Sequence, residues 1–232
     1  MSILKSFSKK KFSKNQITFN HLFSQKSHLG TTLKKRDPKM DEFLIGFNNS
    51  NDTIFNLELV ITMIRRSVSF MKLLFLKKKH ILIVGTGFKF KPLTKSLAQS
   101  LHQPYIAGRW PKGLLTNWEN LSPSIKLYGL YLKKLSLSNK QKINLETCFS
   151  GLQIMKSLPS AIFILDLKSN QDVINEARRL NIPIIAIVEN NCQYINYIDY
   201  PIPVNGASIL TVSLICSLAN HALTERIEEK HD

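Results

Sequence analysis

Gly85 and Gly87 follow the apolar run "HILIV", and a glycine pair at the end of a strand is how a dinucleotide-binding turn begins. That chemistry needs a third small residue where the next helix packs on the strand, so that the backbone can approach a pyrophosphate. Phe90 stands there instead, and Gly108 and Arg109 occupy the second strand end, where an acid should hold the ribose. No Gly-Lys-Ser/Thr follows Gly85 at phosphate-loop distance, so the pair reads as a tight turn entering a helix. Asp166 and Glu189 close two later apolar runs, a place where acids bind metals or act as bases. Neither has a paired carboxylate, a nearby His or a nucleophile–base partner in sequence, so a capping or loop-holding role suits each. Glu189-Asn190-Asn191 in particular suits a turn anchored by side-chain hydrogen bonds. Cys148, Cys192 and Cys216 are an odd, widely spaced set, and the six histidines are scattered. That pattern supports neither a disulfide framework nor a structural zinc. The reading therefore carries no catalytic centre, no metal, no cofactor and no small-molecule substrate.

A different chemistry gathers in "YIAGRWPKGLLTNWENL", residues 105–121, which holds Arg109, Lys112, Asn117 and both tryptophans, Trp110 and Trp118. Cations beside aromatic rings in a loop suit a polyanion. The rings have two readings: stacking on an exposed base, or packing that wedges the loop against a sheet and aims the cations outward. The area of a tryptophan favours packing, because it is costly to leave wet. Lys34, Lys35, Arg36 and Lys39 around Pro38 form a second cationic loop, and Lys89 and Lys91 a third, after the glycine turn. Such side chains position a protein on phosphates by charge, without reading sequence.

The overall charge agrees. There are 32 Lys+Arg against 16 Asp+Glu in 232 residues, a formal net charge of +16. The first 156 residues carry +20 and the remainder −4, an asymmetry that solubility alone does not explain. A nucleic acid or an acidic membrane surface would match it. The apolar runs 68–76 and 208–219 fall far short of the roughly 20 residues a spanning helix needs, and no membrane partner is expected. The start, "MSILKSFSKKKFSKNQ", has five lysines, four serines and no acid before Asp37. It suits an organelle-targeting segment or a basic RNA-binding arm.

These groups need a scaffold, and the pattern supplies one. Residues 1–27 read as an irregular basic arm and 28–52 as a structured loop with a short strand. Asn56 suits the N-cap of a helix whose apolar stripe is Val60, Ile64, Val68, Met71 and Phe75. Buried strands follow at 80–87, 104–108, 161–167 and 182–189, with helices around 91–102, 171–181 and 206–223. Residues 119–156 read as a helical insertion and 224–232 as a charged tail. Continuous apolar strands alternating with helices predict an α/β fold, a parallel sheet flanked by helices in a Rossmann/flavodoxin-like three-layer arrangement. Loops at the carboxyl ends of its strands then carry the function.

The order of these motifs resembles the small-subunit ribosomal protein 2 family in its bacterial and organellar form. "HLGTTLKKRDPKMDEFLIGFNN" looks like that family's N-terminal segment, "TIFNLEL" like its helix entry and "ILIVGTGFKF" like its first sheet strand. "YIAGRWPKGLLTNWENL" is similar to its most recognisable signature. The stretches 158–191 and "DYPIPVNGASI" are similar to its later strands and closing motif. Together these span about 28–223. The chain departs from the family at Pro111-Lys112-Gly113, at Glu189-Asn190 and at Asn205-Gly206-Ala207, and its insertion is shorter. The resemblance implies a structural constituent of the small ribosomal subunit that contacts small-subunit rRNA and neighbouring ribosomal proteins. It implies a place on the solvent side near the head–body junction. With the basic start it points to a mitochondrial ribosome, and to a plastid one second. A nucleotide-binding α/β enzyme is the alternative.

Overall fold

A computed structural model describes residues 19–134 and 149–228. The elements in chain order are α1 (Phe19–Ser24), β1 (Leu29–Thr32), β2 (Leu44–Phe47), β3 (Asp52–Phe55), α2 (Leu57–Leu76), β4 (Ile81–Val84) and α3 (Lys91–Leu101). There follow β5 (Tyr105–Ile106), α4 (Trp118–Lys134), β6 (Ala161–Ile164), α5 (Gln171–Arg179), β7 (Ile184–Val188), β8 (Tyr200–Pro203) and α6 (Ile209–Glu228). Strands β4 to β8 form a five-stranded sheet in the order β5-β4-β6-β7-β8, with parallel pairing and flanking helices. That is the three-layer α/β arrangement expected, with the flavodoxin-like strand order 2-1-3-4-5. The chain divides into two compact units: the described residues up to Lys78 with those from Ile185 onward, and Lys79–Ile184.

In the first unit, α2 starts where its cap dictates, because the Asn56 side chain accepts from the backbone N–H of Glu58 (3.1 Å) and Leu59 (3.3 Å). Its buried stripe is Leu57, Val60, Ile64, Ser67, Met71 and Leu74: Val60, Ile64 and Met71 fall as expected, while Ser67 and Leu74 are buried in place of Val68 and Phe75, which are half-buried. Ser67 is buried without penalty because its hydroxyl donates to the Met63 carbonyl (2.8 Å). Residues 28–52 are more ordered than a loop with one strand. They supply β1 and β2, which flank β3 in an antiparallel sheet of order β1-β3-β2. The β2–β3 turn is held by Asn48, whose Oδ1 accepts from the N–H of Ser50 (2.9 Å) and Asp52 (2.8 Å).

The expected arm 1–27 also differs over its last part. Residues 1–18 lie outside the described residues, but Phe19–Ser24 is helical, with Leu22 fully buried. At the other end α6 runs to Glu228, through most of the region expected as a tail. Strand β8 was not legible, because Pro201 and Pro203 argue against a strand. It lies at one end of the sheet order, where proline is tolerated, and pairs with β7 from Tyr200 to Pro203.

The second unit is built on β4 and β6, every residue of which is buried. Helix α5 turns Val173, Ile174, Glu176 and Ala177 inward, a 3–4 spacing with one acid among apolar neighbours. Of the helical insertion, α4 and residues 149–156 are described, and 135–148 lie outside the described residues. No helix among the described residues is long and apolar enough to cross a membrane.

Candidate nucleic-acid interface

The arginine–tryptophan loop follows β5 at the carboxyl edge of the sheet, and its conformation depends on one distant side chain. Glu176 on α5, 8% exposed, accepts through Oε1 from Trp110 Nε1 (2.9 Å) and the Gly113 N–H (2.8 Å). Its Oε2 accepts from the N–H of Leu115 (2.9 Å) and Thr116 (3.5 Å). Every one of these partners is a donor, as a carboxylate requires. Three are backbone groups just ahead of α4, where helix-type N–H groups lack intrahelical acceptors. The carboxylate thus caps the turn that starts α4 from another element. Gly113 is left-handed (φ +80°), which glycine takes without strain.

The consequence for the loop is an alternation of inward and outward side chains. Trp110 and Trp118 are 5% and 9% exposed, which leaves no open ring face for a base, while Arg109 and Lys112 are exposed between and beside them. Lys112 lies 3.7 Å from Asp172, an exposed pair of little energetic weight. Asn117 is exposed; its backbone N–H donates to the Gly113 carbonyl (2.8 Å) and its side chain accepts from Asn120.

The glycine turn after β4 lies at the topological switch point of the sheet, between β4 and β6, where α/β enzymes bind ligands. Here the place is filled from within. Thr86 Oγ1 donates to Asn170 Oδ1 (3.1 Å), and a Cβ on Gly87 would lie 2.6 Å from the Asp166 carboxylate. An acid against that glycine repels the phosphates a nucleotide would bring. Asp166 also accepts from the Lys168 N–H (3.2 Å), the loop-holding role its sequence position suggested. Lys89 is exposed and Lys91 half-buried on this turn, and between Gly87 and Lys89 stands Phe88, 89% exposed. Sequence reasoning passed over Phe88 and Glu176. The inward spacing of Glu176 with Val173, Ile174 and Ala177 was a usable signal; nothing in the order of residues marked Phe88 as the exposed ring and Phe90 as the buried one.

Lys34, Lys35, Arg36 and Lys39 belong to the first unit. All are exposed, on two short 3-10 turns, Leu33–Lys35 and Pro38–Phe43. Asp37 starts the second turn by accepting from the Lys39 N–H (2.9 Å). Arg36 is paired with Asp41 at 2.7 Å, so its guanidinium is partly engaged within the loop. The loop is tied to the turn after β7 through Asn190, whose backbone carbonyl accepts from the Asp37 N–H (2.8 Å). The Asn190 side chain accepts from the Thr31 N–H (3.1 Å) and Oγ1 (2.7 Å) and donates to Thr31 O (3.0 Å) and Thr53 Oγ1 (2.9 Å). The eight cations expected from sequence therefore fall into two sets of four, one in each unit. Among the described residues, no group of three or more His, Cys, Asp or Glu is placed to hold a metal.

The family model described as "Ribosomal protein S2" matches residues 22–226, nearly the whole of this arrangement. The chain belongs to the ribosomal protein S2 family. Ribosomal protein S2 is a structural, non-enzymatic family, and with it the enzyme alternative falls. Among similar proteins is the small ribosomal subunit protein uS2 of Borrelia duttonii (strain Ly), 33% identical over 227 residues, covering 92% of this chain and 88% of that one. The small ribosomal subunit protein uS2 of Neorickettsia sennetsu (strain ATCC VR-367 / Miyayama) is 30% identical over 228 residues, covering 93% and 76%. Both relatives are bacterial.

Proposed function

We propose that this S2 family member is a structural constituent of the small ribosomal subunit of an organelle, the mitochondrion first and the plastid second. It holds small-subunit rRNA through phosphate contacts and packs against neighbouring ribosomal proteins. The observation that carries the reading is the latch on the arginine–tryptophan loop. Glu176 consumes the polar groups of the loop that face inward and leaves Arg109 and Lys112 outward, an arrangement that serves a polyanion and offers no reacting group. Lys34, Lys35, Arg36 and Lys39 do the same from their own turns, and Trp110, Trp118 and Asn117 position rather than touch the RNA. The mitochondrial assignment rests on the basic, acid-free start of the sequence and on its lopsided charge.

The test is sedimentation of lysates from purified mitochondria and, separately, plastids, with the protein followed by antibody. Co-migration with small subunits, lost after ribonuclease or strong salt, is the expected result, in the mitochondrial fraction. A protein that stays at the top of the gradient while small-subunit rRNA sediments normally would overturn the ribosomal role. Co-sedimentation only in plastids would overturn the mitochondrial part alone.

A further inference from the structure

Phe88 is the most exposed large apolar side chain among the described residues, at 89%, yet the turn that carries it is tightly held. The Phe90 N–H donates to the Gly87 carbonyl (2.8 Å), and the Phe90 ring, 2% exposed, anchors the turn to the core. Thr94 Oγ1, buried on α3, donates to the Phe90 carbonyl (2.8 Å), and Gly87 is pressed against Asp166. An ordered turn therefore presents a ring to solvent, and apolar area of that size gains by being covered. Helix entry does not require it.

The neighbours of the ring narrow what covers it. Lys89 and Lys91 follow it in sequence; Lys91 Nζ lies 5.9 Å from the Phe88 ring centroid and Lys89 Nζ 4.8 Å from that of Phe90. An apolar pocket on a protein would have to desolvate these ammonium groups along with the ring. An unpaired base has a π face for the ring and a phosphate on either side for the lysines. The turn also leaves the same carboxyl edge, in the same unit, as the loop bearing Arg109 and Lys112. We propose that Phe88 is a stacking platform for an unpaired base of small-subunit rRNA, with Lys89 and Lys91 against the adjoining phosphates. This rests on the ribosomal reading above and adds a site to it.

Two measurements test it. In the first, the full chain carries the photoreactive analogue p-benzoylphenylalanine in place of Phe88 and is assembled into small subunits, which are then irradiated. Crosslinks to one short stretch of rRNA are expected; crosslinks solely to a neighbouring protein would overturn the proposal. In the second, binding of the full chain to deproteinised small-subunit rRNA is compared across variants. Phe88→Leu keeps an apolar side chain without a π face and should weaken binding about 5- to 100-fold, while Phe88→Trp should keep it. Equal binding by Phe88→Leu and the native chain would sink the stacking site. The double reversal Lys34→Glu with Lys35→Glu separates the two failures. If it weakens binding while Phe88→Leu does not, the ribosomal reading stands and the stacking site falls. If the native chain neither binds this rRNA nor sediments with small subunits, both fall.

Discussion

In each unit of the molecule a buried polar side chain holds a loop in place, and the two side chains differ in kind, one a carboxyl and the other an amide. In the second unit Glu176 meets donors only: Trp110 Nε1 and the N–H groups of Gly113, Leu115 and Thr116. In the first, Asn190 meets a mixed set, accepting from Thr31 N–H and Oγ1 and donating to Thr31 O and Thr53 Oγ1. A carboxylate is acceptor-only and an amide is both, so each residue type is dictated by the hydrogen-bonding character of its surroundings. The lesson is that an acid at the edge of an α/β core need not be chemistry. Here one acts as a cap for the backbone of a loop far away in sequence and for the indole of its Trp110.

Exchanging the two residue types is the strongest way to break this comparison. Glu176→Ala removes the acceptor for several buried donors at once and should cost about 3–4 kcal/mol in urea unfolding of the full chain. Limited trypsin digestion should then cut faster at Arg109 and Lys112 before global unfolding. Glu176→Gln, which points an amide donor at other donors, should cost about 2 kcal/mol. Unchanged cleavage in both variants would mean that the carboxylate does not hold the loop.

The mirror change, Asn190→Asp, faces a carboxylate with the Thr31 carbonyl and should cost about 2 kcal/mol, with Asn190→Ala similar or somewhat worse. Hydrogen exchange at the Thr31 amide should quicken in both, and an Asp variant as stable as the native chain would refute the mixed-donor account. Trp110→Phe keeps an aromatic ring but deletes the indole N–H and part of the buried indole, and its loss should still be smaller, about 1–2 kcal/mol. If it equals that of Glu176→Ala, the ring packing rather than the carboxylate is what matters.

The smallest effect sharpens the comparison through pH. His28 stacks on Phe23 (centroids 4.5 Å apart), and its Nδ1 is buried without a hydrogen-bond partner among the described residues. Burial holds its pKa below the ordinary 6.5. The unfolded chain then binds the proton more readily, so stability is full above 6.5 and falls as pH drops below it. His28→Gln should flatten that slope between pH 7.5 and 5.5, as measured by the shift in urea midpoint. An unchanged slope would assign the acid sensitivity to other groups.

Features set by local chemistry were legible before the structure. The Asn56 cap, the all-buried strands β4, β6 and β7, and the turn at Gly85–Gly87 each follow from a few adjacent residues. Features set by distant partners were not. Strand β8 carries two prolines, and only its place at the end of the sheet makes it tolerable. The sheet of β1, β3 and β2 is assembled from four-residue pieces, and β1 reaches its partner β3 only across the whole of β2. On α2, Ser67 and Leu74 are buried in place of the expected Val68 and Phe75, and Ser67 can pack there because its hydroxyl is satisfied within the helix.

The amino-acid sequence alone determined the α/β class, the cationic bias and the motif order of the S2 family, because composition, periodicity and short signatures act over neighbouring residues. Tertiary structure decided which side chains are available for contact. Glu176 is 66 residues from Trp110 and Asn190 is 159 from Thr31, so no local window contains both partners of either latch. Nor does any window reveal that Phe88 is in water while Phe90, two positions on, is in the core. That choice depends on which ring meets the sheet when the turn folds against it, and so on atoms the chain brings together only in three dimensions.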